Sequence, residues 1–320
     1  MPGDQRSDIG RGAATVGAGG WIDLSGAVCR RPWPAPGLPD AGLDAADAPG
    51  AADRLARAAA GWFGCLPSQV LAVGCPAMRP IFCLLPPGRA VAVAPGCPRA
   101  ALRAAGWQAD WQADWRADRA EAPGDVDGAD LGVVTNPANP DGRAWPPGAL
   151  ARLARRVGHL VVDESLADAR PDLSLAPALP ANALVLRSLR PLWGLRLGIV
   201  LGRPALLARL SDAAGFRPAD ARALHLGALA LADRTWAENA ILYHAEAALR
   251  LDRIAARAGW RLAGGTHLFR LYDTGDALAA QARLIRAQVR ARRVSNARLR
   301  LAIPATPAEW DRLSAALRRI

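Results

Sequence analysis

The order in which short apolar runs and amphipathic stretches follow one another constrains this chain more than any other feature. Val70–Gly74, Arg89–Ala94, Leu131–Thr135, His159–Asp163, Ala183–Ser188 and Leu195–Leu201 are short runs dominated by Val, Leu, Ile and Ala. Ala51–Phe63, Arg99–Ala105 and Pro147–Val157 carry apolar residues at helical spacing, with Leu55 and Ala59 on one face, and another helix opens near Pro76. Strands apolar on both faces and separated by helices build a mostly parallel sheet covered on each side. A longer helical stretch, Ala219–Ala258, comes next, and after it Leu268–Tyr272, Ala277–Val289, Arg298–Ile303 and Pro307–Leu317 alternate strand with helix again. The sequence predicts an α/β chain in three parts. Residues 1–50, rich in Gly, Pro and Ala, form an N-terminal arm with Trp21–Ser25 as a short ordered piece; residues 51–215 form a large parallel-sheet domain. Residues 216–320 supply a linking helix and a smaller α+β domain.

Apolar residues make up 51% of the 320 and charged residues 22%, which suits a buried core and excludes intrinsic disorder. No apolar stretch is long enough to span a membrane. The first eight residues carry acids where a signal peptide is basic and then apolar, so a soluble cytoplasmic chain is expected. The formal charge is +11, from 40 basic and 29 acidic side chains, and all 40 basic residues are arginine. There is no lysine. No ε-amine is available to form a Schiff base, and any chemistry that needs one from this chain is excluded. The arginines are spread out, many beside Asp or Glu. The densest run, Arg283–Arg300, has no interleaved aromatics, so it reads as solvated surface and not as a nucleic-acid interface. Five cysteines (Cys29, Cys65, Cys75, Cys83, Cys97) show no C-x-x-C spacing and the histidines are scattered, which predicts no disulfide framework and no metal site. The tandem Trp107-Gln-Ala-Asp, Trp111-Gln-Ala-Asp, Trp115-Arg-Ala-Asp is too short for a solenoid and reads as a duplication in a surface loop.

Two elements carry chemistry. Asn136-Pro-Ala-Asn-Pro-Asp-Gly-Arg143 follows a strand directly, and its Asn-Pro and Asp-Gly steps force a turn that sets Asn139 at the carboxyl end of the sheet. Val161-Val-Asp163-Glu164 puts an acid at the end of a buried strand, where a carboxylate either caps a loop or meets a cationic ligand.

In this order and spacing, with Trp21-Ile-Asp-Leu-Ser, Leu186-Arg-Ser188, Gly194-Leu-Arg-Leu-Gly198, Gly264-Gly-Thr-His-Leu-Phe-Arg270 and Leu299-Arg-Leu-Ala-Ile-Pro304, the chain resembles the fold-type I pyridoxal-phosphate enzymes, the aspartate aminotransferase superfamily. Within it the chain is most similar to the threonine-phosphate decarboxylases of cobalamin biosynthesis and to histidinol-phosphate aminotransferases, with the last two motifs favouring the cobalamin branch. The resemblance implies a role for each matching position. Asp163 would face the pyridine nitrogen and Asn139 the ring 3′-oxygen. Ser188, Arg196 and the Gly74-Cys75-Pro76 turn would hold the cofactor phosphate, and Arg300 the substrate carboxylate. It also implies a homodimer acting on a phosphorylated amino acid; a degenerate member would instead serve as a partner of a cobalamin-pathway protein.

The departures from that pattern are specific. The lysine expected just after Ser188 is missing from a shortened run, Ser188-Leu-Arg190-Pro191-Leu-Trp193-Gly194-Leu-Arg196. Arg190 is the cation nearest the lost position, and a guanidinium that stays protonated is neither nucleophile nor base. Cys97 stands where an aromatic would stack on the ring, and Cys29-Arg30 where the arm would read Asn-Pro. Any pyridoxal phosphate would therefore be held noncovalently, with His267 or a group from a second subunit as the alternative base. The sequence leaves open impaired catalysis, a lysine-independent lyase or aminotransferase, and a non-catalytic binding subunit.

Overall fold

The computed structural model describes residues 16–17, 20–36, 50–74, 81–82, 87–92, 99–111, 126–212 and 217–318. Cys75 and its turn, the helix expected near Pro76, Cys83, Cys97 and the last Trp repeat lie outside the described residues.

Among the described residues there are fourteen strands, in chain order β1 Val16–Gly17, β2 Trp21–Asp23, β3 Val70–Gly74, β4 Arg89–Ala92, β5 Gln108–Trp111, β6 Ala129–Thr135, β7 Val157–Asp163, β8 Ala183–Ser188, β9 Leu197–Leu201, β10 Arg261–Gly265, β11 Phe269–Asp273, β12 Val289–Arg290, β13 Arg292–Arg293 and β14 Arg298–Ala302. Seven of them form one sheet in the order β3-β9-β8-β7-β6-β4-β5. All its pairings are parallel except those of β9, which runs antiparallel to both β3 and β8. Because β9 alone is reversed, β3 runs in the direction of β8. The carboxyl ends of β3, β6, β7 and β8 therefore share one edge, and β9 starts there, with Gly74 opposite Leu197 and Ser188 opposite Gly198. The helix Ala51–Phe63 lies on this sheet through Leu55, Ala59 and Phe63, four residues apart.

A four-stranded antiparallel sheet, β10-β11-β14-β13, packs with helices 234–257, 277–286 and 307–317 around a second apolar cluster that includes Leu251, Leu284, Leu301 and Trp310. The arm joins this cluster through Ile22 and Leu24. Its strand β2 lies between β1 and β12, parallel to β12.

Three local expectations are corrected. The stretch 219–258 is two helices, Ala221–Ala232 and Arg234–Arg257. Asp233 leaves helical geometry between them, and its carboxylate accepts from Trp236 N at 3.1 Å and from Trp33 Nε1 at 3.0 Å. An aspartate that caps a helix and anchors a distant indole outweighs the periodicity running through it. The helix Pro147–Ala154 ends early because Val157 joins the next strand. The first Trp repeat is sheet, not surface loop: Gln108–Trp111 is the edge strand, and the buried Trp107 indole donates to the Phe82 carbonyl at 2.9 Å. The strand β10 was missed, since the mostly exposed Arg261 and Leu262 give it no alternation.

Candidate active site

The turn after β6 is held rigidly by Asn136. Its buried amide donates to the carbonyls of Trp145 at 3.1 Å and Leu173 at 3.2 Å and accepts from Trp145 N at 2.9 Å. The Asn136–Pro137 and Asn139–Pro140 bonds are both cis. The turn also packs backbone to backbone against β10: Gly265 N donates to Asp141 O at 2.8 Å, and a Cβ at Gly142 (φ 72°) would fall 2.0 Å from Gly265 O. With Asn136 fully engaged, the half-buried Asn139 is the side chain left to work at the edge.

Asn139 Oδ1 accepts a hydrogen bond from Arg300 Nη1. Arg300, on β14, is only 2% exposed. Its Nη2 donates to the Ser25 carbonyl of the arm, and its guanidinium lies 4.9 Å from the centroid of the Phe269 ring. Its Nε is buried without a partner. Burial first, and the neighbouring Arg292 second, lower its pKa to about 10. Arg300 is thus a buried charge joining the arm, the β6 turn and β14, not a surface arginine.

Sequence reasoning missed Arg292. It lies on β13 directly across from Arg300, within the run read as solvated surface. The strand register, invisible in a run of arginines, is what sets the two residues across from each other. The charge of Arg292 is felt at Arg300, where it adds to the lowering of the pKa.

Asp163 ends β7 opposite Thr135 and Leu186. Its Oδ1 accepts from Ser165 N at 3.0 Å and Ser165 Oγ at 2.5 Å. Desolvation raises its pKa, against the lowering effects of the Ser165 hydrogen bonds and Arg187. Among the described residues its second oxygen has no hydrogen-bond partner, so a carboxylate already short of solvation is open to a cationic N–H donor. Ser188 ends β8 on the same face of the sheet, two residues beyond Leu186, and accepts from Arg190 N at 3.3 Å. Arg196, exposed, stands just before β9 at the same edge. Topology therefore gathers Asn139, Asp163, Ser188 and Arg196 on one carboxyl edge, the place where open α/β sheets bind ligands.

The segment that would carry a lysine is a single helical turn, Arg190–Trp193. Arg190 is exposed, while Pro191, Leu192 and Trp193 are buried. Trp193 packs edge-on against Trp62 with ring centroids 5.5 Å apart. The arm lies over this turn, Cys29 N donating to Pro191 O at 2.6 Å and Trp33 N to Trp193 O at 3.2 Å. Gly194 closes it at φ 79°, where a Cβ would come 2.6 Å from Pro32 Cβ.

His267 lines a separate cavity of about 290 Å3 beneath the Asn136–Arg143 turn, with Pro137 and Gly142. Burial, with a smaller push from His244, lowers its pKa to about 3, so it is a neutral imidazole whose Nε2 has no partner. On the opposite face of β8 from Ser188, Arg187 donates to Glu164 at 3.0 Å and Asp168 at 2.7 Å. That buried trio, next to a cavity of about 600 Å3 shared by Trp62, Phe63 and Leu242, went unnoticed in the sequence. No cluster of potential metal ligands occurs among the described residues, and none of their helices is long and apolar enough to cross a membrane.

The pattern of the aminotransferase class I and II family matches residues 97–317. The threonine-phosphate decarboxylase of Pseudomonas aeruginosa is 33% identical over 312 residues, covering 93% of this chain and 91% of that protein. In fold, the chain is similar to the histidinol-phosphate aminotransferase of Sinorhizobium meliloti solved in complex with pyridoxal-5′-phosphate (TM-score 0.72, 22% identity, 92% of this chain and 89% of that one). It is also similar to the L-threonine-O-3-phosphate decarboxylase of Porphyromonas gingivalis (TM-score 0.68, 17% identity, 92% and 98%).

Proposed function

Because the chain belongs to the aminotransferase class I and II family, we propose that it is a cobalamin-biosynthesis protein of the threonine-phosphate decarboxylase type. It holds pyridoxal phosphate noncovalently and binds a phosphorylated amino acid, with catalysis impaired. The observation that carries this reading is Arg300, buried and bound to both Asn139 and Ser25 beside a carboxyl edge that keeps Asp163, in a chain with no lysine.

The donor set at the edge fits the cofactor, apart from the missing amine. Asp163 would take the ring N–H on its unpaired oxygen, Asn139 the ring 3′-oxygen, and Ser188 with Arg196 the phosphate. When bound, pyridoxal phosphate supplies a conjugated cationic ring that accepts the electron pair released at the substrate's α-carbon. Arg300 and Arg292 together would hold the two anionic groups of an amino-acid phosphate, its carboxylate and its phosphate, and so orient the α-carbon. Among the described residues none at the edge replaces the missing base. The guanidinium of Arg190 is a poor nucleophile and a poor base, and His267 lies in the neighbouring cavity. General acid–base help is worth roughly 10²–10⁴-fold, which sets the scale of the expected deficit. The working assembly in this reading is a homodimer in the cytoplasm, as the family resemblance implies.

A second reading, a slow lysine-independent lyase, is favoured by the retention of Asp163 at the sheet edge and of the Asn139–Arg300 contact. Purified protein with excess pyridoxal phosphate and L-threonine phosphate decides between them. Release of aminopropanol phosphate above the rate with free cofactor, abolished by Asp163→Asn, establishes the lyase. Cofactor binding without excess product establishes the impaired protein, and failure to bind cofactor at all overturns both.

A further inference from the structure

We infer that the cavity of about 600 Å3 lined by Arg187 is a second binding site, built for an organic cation: a protonated amine carried on a flat apolar body. Its volume and mostly apolar lining are those of a small-molecule pocket. Trp62 and Phe63 at the end of the first helix, Pro171 and Pro177 from the connection between β7 and β8, and Ile241 and Leu242 of helix 234–257 form its walls. Leu242 is 60% exposed there, an apolar side chain that no described residue covers. The cavity is not part of the sheet-edge site. Arg187 and Ser188 are consecutive on β8 and point to opposite faces of the sheet, so filling one site does not require filling the other.

The polar floor sets the sign of the ligand's charge. Asp168, Ser174 and Arg187 line it, and the buried Glu164 lies behind, bonded to both Arg187 and Ser174. The donors of this floor are spent. Arg187 Nη1 and Nη2 donate to Glu164 and Asp168, the Ser174 hydroxyl donates to Glu164 at 2.6 Å, and the Trp62 side chain is hydrogen-bonded to Asp168. The last N–H of Arg187, at Nε, has no partner and is closed off from solvent, with the guanidinium 4.3 Å from the centroid of the Phe63 ring. What remains is acceptor capacity, since a carboxylate offers about four lone-pair sites. One guanidinium also stands against two acids, while the exposed Arg234 and Glu238 of the same cavity balance each other. A ligand that brings one positive charge and N–H donors completes this floor. An anion would meet Asp168 with no free donor to hold it. Desolvation already penalises both carboxylates, and a cation in the cavity offsets that penalty.

Calorimetric titration of the full chain at neutral pH with three probes of one shape tests this: 2-(1-naphthyl)ethylamine, which is protonated there, the neutral 2-(1-naphthyl)ethanol and the anionic 3-(1-naphthyl)propanoate. A charge-assisted hydrogen bond to Asp168 should make the ammonium bind about 10-fold more tightly than the alcohol, and the propanoate should bind more weakly than either. Leu242→Arg, a change at an exposed position, should weaken the ammonium about 10-fold by adding a cation to the cavity wall. A folded Asp168→Asn should erase the difference between ammonium and alcohol. Asp163→Asn, at the sheet edge, should leave ammonium binding unchanged. Equal binding of ammonium and alcohol to the unaltered chain overturns the inference. Loss of ammonium binding in Asp163→Asn, with indifference to Leu242→Arg, places the amine at the sheet edge and overturns it too. Absence of binding by all three probes removes the site, and light scattering then shows whether a second copy of the chain, displaced by Leu242→Arg, covers the cavity instead.

Discussion

Replacing Arg187 with Met keeps an unbranched stem and removes the single cation between two buried acids. Arg187 is 4% exposed, and its Nη1 and Nη2 bond to Glu164 and Asp168, which are 0% and 7% exposed. Glu164 has further partners in Ser174 Oγ at 2.6 Å and Leu175 N at 2.8 Å, so it cannot turn toward solvent when the guanidinium is gone. Removing one partner of a buried ion pair costs roughly 3–5 kcal/mol. Over 320 residues, at ~2.1 cal/mol/K of unfolding entropy each, that corresponds to a Tm lower by about 4–8 °C. The loss depends on pH with a defined sign. Desolvation is the leading influence on both carboxyls and raises their pKa values above the ordinary 4.5 and 3.8, with Arg187 opposing. The folded state therefore holds protons that the unfolded state has released, and this contribution falls as pH rises through the folded values. Without Arg187 those values rise further, so the Tm loss should be larger at pH 8 than at pH 5. Differential scanning calorimetry of Arg187→Met at both pH values reads it directly. Adding Glu164→Gln and Asp168→Asn should recover part of the loss at pH 8. A Tm loss below about 2 °C at pH 8, or an equal loss at both pH values, would refute the picture of a buried trio.

Other outcomes are equally specific. Gly194→Ala meets both the left-handed φ of 79° and a 2.6 Å approach to Pro32, and should cost about 2–5 kcal/mol in urea denaturation; an unchanged midpoint would show that the arm does not clamp this turn. Asp233→Ala removes a helix cap and the anchor of the Trp33 indole, and should cost about 1–2 kcal/mol while altering Trp fluorescence. His267, with its folded pKa lowered to about 3, contributes stability that is present above the unfolded value near 6.5 and lost as pH falls toward 3. His267→Phe should therefore flatten the change in urea midpoint between pH 7 and pH 4.5, and an unaltered slope would dismiss the buried neutral imidazole. Arg190→Lys puts an amine at an exposed position, and borohydride treatment with pyridoxal phosphate should give no adduct confined to that residue; a stoichiometric, site-specific adduct would show that the cofactor reaches it.

What the sequence determined by itself is what depends on near neighbours. Periodicity marked Ala51–Phe63, Val70–Gly74, Ala183–Ser188 and Pro307–Leu317 to the residue, because a helix face or an apolar strand is written in spacings of two to four positions. The order of strands and helices led to the mostly parallel sheet, and the missing lysine needed no structure to be seen. Asn139 and Asp163 were legible because a turn or an acid directly after an apolar strand lands at the sheet edge. The break at Asp233 was hidden because its second partner, Trp33, is two hundred residues away. Tertiary structure alone decided that Arg300 is buried against Asn139 and Ser25, 161 and 275 positions distant, that Arg292 stands beside it, and that Arg187 is locked between two acids while Arg190 faces water. In a chain whose 40 cations are all arginine, residue type carries no information about which are solvated. Desolvation and cross-strand register separate them, and both exist only once the chain has folded.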